Sequence, residues 1–348
     1  MKKEKVMRRK MTNRISVIAA MLSCMMLISA CSGGGAGAAA ETGGPRELKI
    51  GVSTKDADPR NVAAKKFADE ISEKTGGKIT AKVYAEGELG GDADLIDAMA
   101  IKTGKVDIII TDASNFATYE PTMGISAMPF LFSDFDTAWE FMDSDIEAEV
   151  EEKLLSHNMR VLAHYDNGFR CVTNSIKPIT SPADMSGLLI RTPENPVIME
   201  TMTALGANPQ PLSFSELYDA LSKGTYDAQE NPIPVIYNNK LYEVQKYLSV
   251  TNHIYSGMCF TIAEDTWQSL DEQEQKIVEE AAKASADYDR QENRRQTEDL
   301  ISSLREEGME INEPDLAPFA DATSSVLEGN ASTYGDLMDK LSDWRKSH

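Results

Sequence analysis

Two arginines lie in a part of the sequence whose residue types suit the binding of a small anion. Arg170 ends the segment 167–170, and Arg191 directly follows the apolar residues 188–190 and stands two positions before Pro193. An apolar run that ends in this way predicts a buried strand emerging from its sheet. Open α/β sheets hold ligands at such strand ends, and a guanidinium there can bind a carboxylate through two parallel N–H hydrogen bonds.

Arg191 also has a structural interpretation. With 56 acidic residues against 35 basic ones, an arginine has many possible partners for a structural salt bridge. The surrounding sequence favours the binding interpretation, because Arg170, Phe214 and Asn231 supply a second cation, an aromatic ring and an amide within the same stretch. We therefore expect an anion site between residues 167 and 231.

The elements that must position these residues alternate along the chain. Apolar periodicity predicts strands at residues 48–52, 79–83, 106–110, 159–163 and 188–191. Helical spacing predicts helices between them, including a short one that starts at Pro182, one with a Ser213/Glu216 capping box, and a long one over residues 271–307. Strands that alternate with helices predict an α/β fold with a largely parallel, helix-covered sheet.

The first 46 residues carry signals for export and anchoring. Seven basic residues at positions 2–14 precede the apolar residues 15–30, which are too few to span a bilayer comfortably. Together the basic and apolar segments predict a signal peptide over residues 1–30. Residues 27–31 resemble a bacterial lipobox, in which Cys31 becomes the lipidated N-terminus; an ordinary signal peptide with a chance cysteine is the alternative. Residues 31–46 are Gly/Ala-rich and predict a flexible tether. We expect an extracytoplasmic, membrane-anchored lipoprotein.

The charge of the mature chain disfavours nucleic acid as a partner. Removal of residues 1–30 takes away seven basic and one acidic residue, so 28 basic and 55 acidic residues remain, a net charge of −27. Such a field repels the phosphate backbone, and it also repels an anionic ligand at long range. An anion site in this chain therefore needs a local positive focus in a buried pocket, which the short Debye length permits.

The sequence predicts neither a metal site nor a cofactor. Of the four cysteines, Cys171 and Cys259 remain in the folded body; both lie in apolar runs without a neighbour at metal-ligand spacing. We expect two free buried thiols, with a disulfide between them as the alternative.

An enzyme is the rival class of function. The four histidines form no HExxH pair, and the sequence has no GxSxG elbow, P-loop or EF-hand spacing. His253 is expected to be an interior or turn residue. The sequence therefore does not favour catalysis.

From residue 47 to about residue 341 the sequence resembles the solute-binding subunits of tripartite ATP-independent periplasmic (TRAP) transporters, the DctP-type family. The segments that carry the resemblance are 87–91, 128–132, 167–170, 206–209, 229–232 and 242–247. The resemblance implies a two-lobed fold of the class II periplasmic-binding-protein type, with crossing strands and a long helix shared by both lobes. Lobe I is expected to comprise residues 47–167 plus 257–296, and lobe II residues 168–256 plus 297–348.

The resemblance also assigns roles to four residues of the second lobe. Arg191 matches the arginine that holds the ligand carboxylate, and Arg170 matches a second arginine that reaches the same anion or a neighbouring oxygen. Asn231 matches an amide that binds the carboxylate or a hydroxyl, and Phe214 matches an aromatic wall. From the residues alone, Phe214 could equally pack in the core with the rest of its helix face, and Asn231 could shape a turn before Pro232.

Three further positions are implied to complete the site. Asp112 matches an acidic position that contacts hydroxyls in sugar-acid binders, Glu194 matches a variable pocket position, and Ser53 lies where the first lobe contributes a polar contact. Asp112 could instead be a helix N-cap. A carboxylate beside an anion is costly unless it accepts a hydroxyl proton, so Asp112 and Glu194 favour a polyhydroxylated acid.

These matches predict a binding protein for a small organic acid, with a hexuronate or an aldonate as the favoured ligand. A C4-dicarboxylate or a keto acid is the alternative ligand, and a ligand-sensing lipoprotein of the same fold is the alternative function. The implied partners are the integral membrane subunits of a TRAP transporter, with uptake driven by an ion gradient.

Overall fold

The computed structural model of the protein describes residues 45–347. The predicted signal peptide, the lipidation site Cys31 and nearly all of the tether lie outside the described residues. Within residues 45–347, every helix is too short or too polar to cross a bilayer.

The described residues form one mixed sheet surrounded by helices. Its strands are β1 (Arg46–Gly51), β2 (Ile79–Tyr84), β3 (Ile108–Asp112), β4 (Met159–Asn174), β5 (Leu189–Thr192), β6 (Asn208–Pro211), β7 (Ala228–Pro232), β8 (Tyr247–Ala263) and β9 (Glu310–Asn312). The α-helices of the same range are α1 (Pro59–Lys74), α2 (Asp92–Ala100), α3 (Phe135–Met142), α4 (Asp145–Glu152), α5 (Pro196–Ala204), α6 (Phe214–Ser222), α7 (Ile233–Asn238), α8 (Glu264–Gln268), α9 (Glu272–Glu306), α10 (Ala317–Tyr334) and α11 (Leu337–Ser347).

The strand order is β2-β1-β3-β8-β4-β7-β5-β6, and β9 pairs with β8. The two outer groups are parallel, as predicted, because helices connect their successive strands. In the centre of the sheet, β8 pairs antiparallel with β3 and β4, and β4 pairs antiparallel with β7. The predicted α/β class is thus confirmed. The sheet is antiparallel where β4 leads from one group to the other and β8 returns, and the short strand β9 adds a parallel pairing to β8.

Two long strands and one long helix connect the two parallel groups. The strands β4 and β8 have 16 and 17 residues and pair along nearly their whole length. Helix α9 has 35 residues and begins with a capping box between Asp271 and Glu274. Both features confirm the predicted crossing strands and long helix.

The pairing of β4 with β8 has three register shifts, and the second of them lies near the middle of the two strands. Asp166 pairs with Gly257 and Gly168 pairs with Ser256, with a register shift between them. Gly168 has a φ of +102°, which favours glycine, and a Cβ on Gly257 would lie 2.7 Å from the sulfur of Met142. The predicted lobe boundaries fall at this irregularity, and they stay a prediction.

Local capping differs from the prediction at one helix that borders the site. Ser213 precedes α6 as predicted, but its side chain makes no capping hydrogen bond and instead lies 3.2 Å from the Ser215 hydroxyl. The predicted capping box with Glu216 is therefore wrong. The predicted short helix at Pro182 is a single 3-10 turn, Pro182–Met185.

Candidate functional site

A small cavity of about 40 Å³ collects side chains from four separate parts of the sheet. Its lining residues are Ser53, Thr54, Arg60, Asp92, Asp112, Asn115, Asn167, Arg170, Arg191, Pro193, Phe214, Asn231 and Val235. Six of the seven predicted site residues are among them, and Glu194 is the exception. The structure thus brings together residues that are up to 182 positions apart in the sequence, from 53 to 235.

Arg191 is a buried cation without an acidic partner. It lies on β5 and is only 2 % exposed. Its Nε and Nη2 donate hydrogen bonds to the carbonyl of Leu212 at 2.8 and 2.6 Å, and its guanidinium carbon lies 5.8 Å from the centre of the Phe214 ring. Among residues 45–347, no carboxylate oxygen lies within 4.0 Å of it, and Nη1 has no hydrogen-bond partner in that range.

The charge of Arg191 persists despite this burial. Burial is the main reason that the pKa of Arg191 falls to about 10, against the opposing charge of Glu230. The guanidinium is therefore protonated at neutral pH. A buried charge without a counter-ion is unfavourable, and a ligand carboxylate at the free Nη1 would supply the missing partner.

Arg170 lines the same cavity but already has a counter-ion. Its Nε and Nη2 donate to the two carboxylate oxygens of Glu230, and Nη2 also donates to the Asn231 side-chain oxygen at 3.2 Å. The pair is fully enclosed, with side-chain exposures of 4 % for Arg170 and 0 % for Glu230. One guanidinium nitrogen, Nη1, makes only a long contact of 3.5 Å with the Ser256 hydroxyl.

A buried histidine completes the surroundings of Glu230. His253 Nε2 lies 3.3 Å from a Glu230 oxygen, and its Nδ1 lies 2.8 Å from the Thr251 hydroxyl. Burial lowers the pKa of His253, although Glu230 opposes the shift. Burial on its own raises the pKa of Glu230, but the charge and hydrogen bonds of Arg170 outweigh it and hold the pKa at about 2. Arg170 and Glu230 therefore form a persistent ion pair in the cavity wall.

Asp112 is an N-cap and also lies at the cavity, where its contact with ligand hydroxyls stays a prediction. It caps the 3-10 helix Ala113–Thr118 by accepting from the backbone N–H of Ser114 at 2.9 Å, and it also lines the cavity. Its two oxygens accept from the hydroxyls of Ser114 and Ser256. Ser256 in turn accepts from Asn167 at 3.0 Å. These contacts hold the Asp112 carboxylate in one orientation at the cavity.

Asn231 and Ser53 use only part of their hydrogen-bonding capacity within the protein. The Asn231 amide nitrogen donates to Gln229 at 2.6 Å, and its oxygen accepts from Arg170. The Ser53 hydroxyl donates to Asp92 at 3.3 Å. Each keeps hydrogen-bonding capacity toward the cavity, because an amide carries two N–H donors and a hydroxyl can also accept.

Phe214 and Glu194 lie at the opening of the cavity. Phe214 is half-buried; it packs against the apolar cluster around Leu217, as the core interpretation expects, and it also edges the cavity, where its contact with a ligand stays a prediction. Glu194 is exposed and lines an adjoining cleft of about 560 Å³. This outer cleft shares Asp92, Asn115, Arg191, Pro193 and Phe214 with the small cavity.

Sequence reasoning missed Asp92 and Arg60. Asp92 is the first residue of α2 and lines both the cavity and the outer cleft. Burial raises the pKa of Asp92, and the nearby Arg60 and Ser53 offset the shift in part. Arg60 is buried near the start of α1, where its Nε donates to Asp58 at 3.0 Å and its Nη2 donates to Asn167. Both look in the sequence like ordinary first-turn residues, and the signal that could have found Asp92 is its place directly after the 87–91 segment.

The family model for bacterial extracellular solute-binding proteins, family 7 (DctP), matches residues 50–333 of this chain. The chain belongs to this family. It is therefore a TRAP solute-binding protein. The members of this family are extracytoplasmic transport proteins rather than enzymes.

Characterised relatives are similar over most of this DctP-family chain. The 2,3-diketo-L-gulonate-binding periplasmic protein of Escherichia coli is 34 % identical over 283 residues, which cover 81 % of this chain and 86 % of the relative. A TRAP periplasmic solute-binding protein from Polaromonas sp. JS666 bound to D-erythronate has a TM-score of 0.82 and 32 % identity, and the match covers 86 % and 98 % of the two chains. The sugar-acid-binding protein of Advenella mimigardefordensis in complex with galactonate has a TM-score of 0.84 and 29 % identity, with coverages of 87 % and 99 %. These neighbours confirm the two-lobed fold.

Proposed function

We propose that this solute-binding protein captures a sugar acid, a hexuronate or an aldonate, and that Arg191 binds its carboxylate. The observation that carries this proposal is the buried guanidinium of Arg191, which has a free Nη1 and no acidic partner within residues 45–347. Leu212 orients the guanidinium through two hydrogen bonds, and Phe214 lies beside it. A charge that is held in place and left unpaired is suited to an anionic ligand.

The other polar groups of the site favour a monocarboxylate with several hydroxyls. Asp92 and Asp112 are carboxylates, which accept hydrogen bonds from hydroxyls and repel a second ligand carboxylate. The two further arginines of the cavity, Arg60 and Arg170, are already paired with Asp58 and Glu230. A C4-dicarboxylate would lack a free cation for its second charge. The relatives bound to D-erythronate and galactonate carry ligands of the favoured class.

The volumes suggest how such a ligand lies. The inner cavity of about 40 Å³ has room for a carboxylate group but not for a whole six-carbon acid. The outer cleft of about 560 Å³ is large enough for the hydroxylated chain, and it begins at Arg191 and Phe214. In this pose Asp92 and Glu194 accept hydrogen bonds from ligand hydroxyls along the cleft. Arg170 contributes through Nη1, and Asn231 and Ser53 complete the polar shell.

We further propose that the ligand is captured by closure of the two lobes about the interruption between β4 and β8. On the predicted boundaries, Asn195 belongs to lobe II, whereas Ser114 and Asn115 belong to lobe I. The Asn195 amide donates to the Ser114 hydroxyl and to the Asn115 oxygen at 3.2 Å, close to the cavity. A ligand that contacts both sides adds to such bonds in the closed state and so favours it.

The predicted lipid anchor at Cys31 would hold the protein at the membrane, where it delivers the acid to the integral membrane subunits of the transporter. Replacement of Cys31 by serine in the full-length chain tests the anchor. We expect the variant to be recovered in the soluble fraction and to lose incorporation of labelled fatty acid. Retention of both membrane association and the label would contradict this part of the proposal.

The ligand proposal is tested by titration calorimetry of the mature protein with matched acids. Glucuronate, galacturonate, gluconate and galactonate represent the favoured class, succinate and malate the dicarboxylates, and pyruvate the keto acids. We expect at least one sugar acid to bind at least 100-fold more tightly than any dicarboxylate or keto acid in the set. Tighter binding of a dicarboxylate would overturn the sugar-acid proposal while leaving the anion site at Arg191 in place.

A further inference from the structure

A second cluster of chemically active side chains lies away from the cavity, where α4 packs against β4 and β8. His164 and Cys259 are directly opposite each other in the antiparallel pairing of these strands, so their side chains leave the same face of the sheet. Glu147 and Glu151 are four residues apart on α4 and therefore share one face of that helix. A histidine and a cysteine from the sheet thus face two carboxylates from the helix.

Three of these side chains are already within reach of one ion. Ligand atoms of Glu151, His164 and Cys259 all lie within 4.8 Å of one another, and no other such group occurs in the described part of the chain. His164 Nε2 lies 2.6 Å from Glu151 Oε1, and Cys259 Sγ lies 3.6 Å from the same oxygen. Tetrahedral zinc with bonds of 2.0 to 2.3 Å separates its ligand atoms by roughly 3.3 to 3.6 Å. The sulfur and oxygen already match this spacing, and the nitrogen and oxygen need to separate by about 0.7 Å.

Glu147 points to a fourth ligand. Its side chain is 0 % exposed, and among the described residues neither carboxylate oxygen has a hydrogen bond of good geometry, with only a weak interaction with Ser126. It interacts electrostatically with Glu151, His164 and Cys259. A buried carboxylate without a partner is costly, and a bound cation would satisfy it.

The surroundings of His164 match those of a metal-binding histidine. Its Nδ1 lies 3.0 Å from Asp143 Oδ1, which leaves Nε2 directed at Glu151 and Cys259. Asp143 is itself fixed by two hydrogen bonds from Arg290 at 2.6 and 2.8 Å. Histidines that bind metals commonly donate their second N–H to a carboxylate in this way, which fixes the ring and the tautomer.

We propose that Glu147, Glu151, His164 and Cys259 form a binding site for one zinc ion. Thiolate, imidazole and carboxylate together are a donor set that suits Zn²⁺ better than Mg²⁺ or Ca²⁺, which prefer oxygen ligands alone. The side chains of His164 and Glu151 are 13 % and 12 % exposed, so the ion can enter from solvent. The ion would join α4 to the two crossing strands. None of the four residues lines the cavity or the outer cleft at Arg191.

The sequence did not indicate this site, because its ligands come from three elements. Residues 147 and 151 have a spacing that is common on any acidic helix face, and His164 and Cys259 are 95 positions apart. Only the register of β4 with β8 brings the last two together.

Zinc binding to the chelator-treated mature protein, measured in competition with a chromophoric chelator, tests the proposal. We expect one Zn²⁺ per chain and a rise in the unfolding temperature when Zn²⁺ is added. His164→Ala and Cys259→Ser should each weaken binding at least 100-fold, and Glu147→Gln about 10-fold to 100-fold. Cys171→Ser is the matched control, since it alters the other buried thiol, and its zinc affinity should equal that of the wild type.

Cobalt substitution gives a second readout, which the wild-type protein already provides. Co²⁺ bound through Cys259 should produce thiolate-to-cobalt charge-transfer absorption in the wild type and in Cys171→Ser, but not in Cys259→Ser. Wild-type protein that takes up no stoichiometric Zn²⁺ and shows no such absorption overturns the proposal. An equal loss of zinc in Cys171→Ser and Cys259→Ser overturns it as well, because binding would then not depend on the cluster.

Discussion

Arg170 and Arg191 line the same cavity and are equally buried, yet their surroundings differ in one decisive respect. Arg170 shares an enclosed ion pair with Glu230, which His253 also contacts. Arg191 is held by the carbonyl of Leu212 and the ring of Phe214, without a carboxylate within 4.0 Å among residues 45–347. One arginine is satisfied by the protein, and the other is left for a ligand.

This difference distinguishes Arg170, a structural residue of the cavity wall, from Arg191, a ligand-binding residue. Removing one partner of a buried ion pair leaves the other charge uncompensated, so Arg170 contributes to folding. Arg191 gains no ion pair from folding, and its buried charge is a cost that a ligand carboxylate removes. The comparison predicts opposite responses to mutation. Loss of Arg170 should affect stability first, and loss of Arg191 should affect ligand affinity first.

The largest effect is expected for Arg170→Met. Glu230 would remain buried without its counter-ion, so the free energy of unfolding of the ligand-free protein should fall by about 3 to 5 kcal/mol. Urea denaturation measures this loss. Arg295→Met, which breaks an exposed ion pair on α9, is the control and should change stability by about 1 kcal/mol or less. Equal losses of stability in both variants would show that the buried Arg170–Glu230 pair contributes no more to stability than an exposed ion pair.

The second effect concerns Arg191→Ala. We expect the affinity for the sugar acid to fall by about 2 to 5 kcal/mol, because the bound carboxylate loses its buried partner. The stability of the ligand-free protein should change by less than it does in Arg170→Met, since no buried carboxylate is left unpaired. Calorimetry and denaturation of the same preparation measure the two quantities. A large loss of stability with unchanged affinity would reverse the assignment of the two arginines.

The third effect is a pH dependence of the Arg170–Glu230 pair. The pKa of Glu230 is lowered to about 2 from 4.5, so the pair stabilises the fold above pH 4.5, and this contribution declines as the pH falls toward 2. By linkage it amounts to about 3 kcal/mol at neutral pH. The stability difference between the wild type and Glu230→Gln should therefore shrink between pH 4.5 and pH 3. A constant difference over this range would show that Glu230 stabilises by packing rather than by charge.

The fourth effect distinguishes the hydroxyl-binding side of the cavity from the arginines. In Asp92→Asn, a charged acceptor becomes neutral, and the affinity for a sugar acid should fall by about 1 to 3 kcal/mol. Succinate has no hydroxyls to donate, so its binding should stay the same or improve because a repulsive charge is removed. Paired titrations with both acids measure the difference. Equal losses for both acids would mean that Asp92 supports the cavity instead of contacting hydroxyls.

The smallest effect is expected for Glu194→Gln. Glu194 is exposed and lies in the outer cleft, so any hydroxyl contact that it makes competes with water. We expect a change in ligand affinity of about 0.5 kcal/mol or less, with no change in stability. A loss as large as that of Arg191→Ala, measured by the same calorimetric titration, would place the centre of the site in the outer cleft.

The sequence predicted the elements well where the local pattern is strong. The apolar runs around Ile50, Ile108 and Ile190 are strands, and the spacing over residues 271–307 is the long helix Glu272–Glu306. Residue types and spacing singled out Arg170, Arg191, Phe214 and Asn231, and the resemblance to the family supplied their expected roles and added Asp112 and Ser53. Strand and helix boundaries can be predicted from local patterns because neighbouring residues set them.

Contacts across the sheet could not be read in the same way. Glu230 is 60 positions from Arg170, and the two meet because β4 and β7 pair antiparallel, with Arg170 opposite Pro232. The sequence therefore predicted two similar anion-binding arginines, whereas the register of two strands determines which of them is neutralised. Asp92 was missed for the same reason, since its contact with Ser53 joins the start of a helix to the end of a distant strand.

The most direct test of the central claim is a thermodynamic cycle between Arg191 and the ligand carboxylate. Binding of a hexuronate and of its neutral amide is measured for the wild type and for Arg191→Ala. If Arg191 binds the carboxylate, the wild type should prefer the acid over the amide by at least about 2 kcal/mol, and the variant should bind the two about equally. The same preference for the acid in both proteins would contradict the account, because the carboxylate would then bind elsewhere.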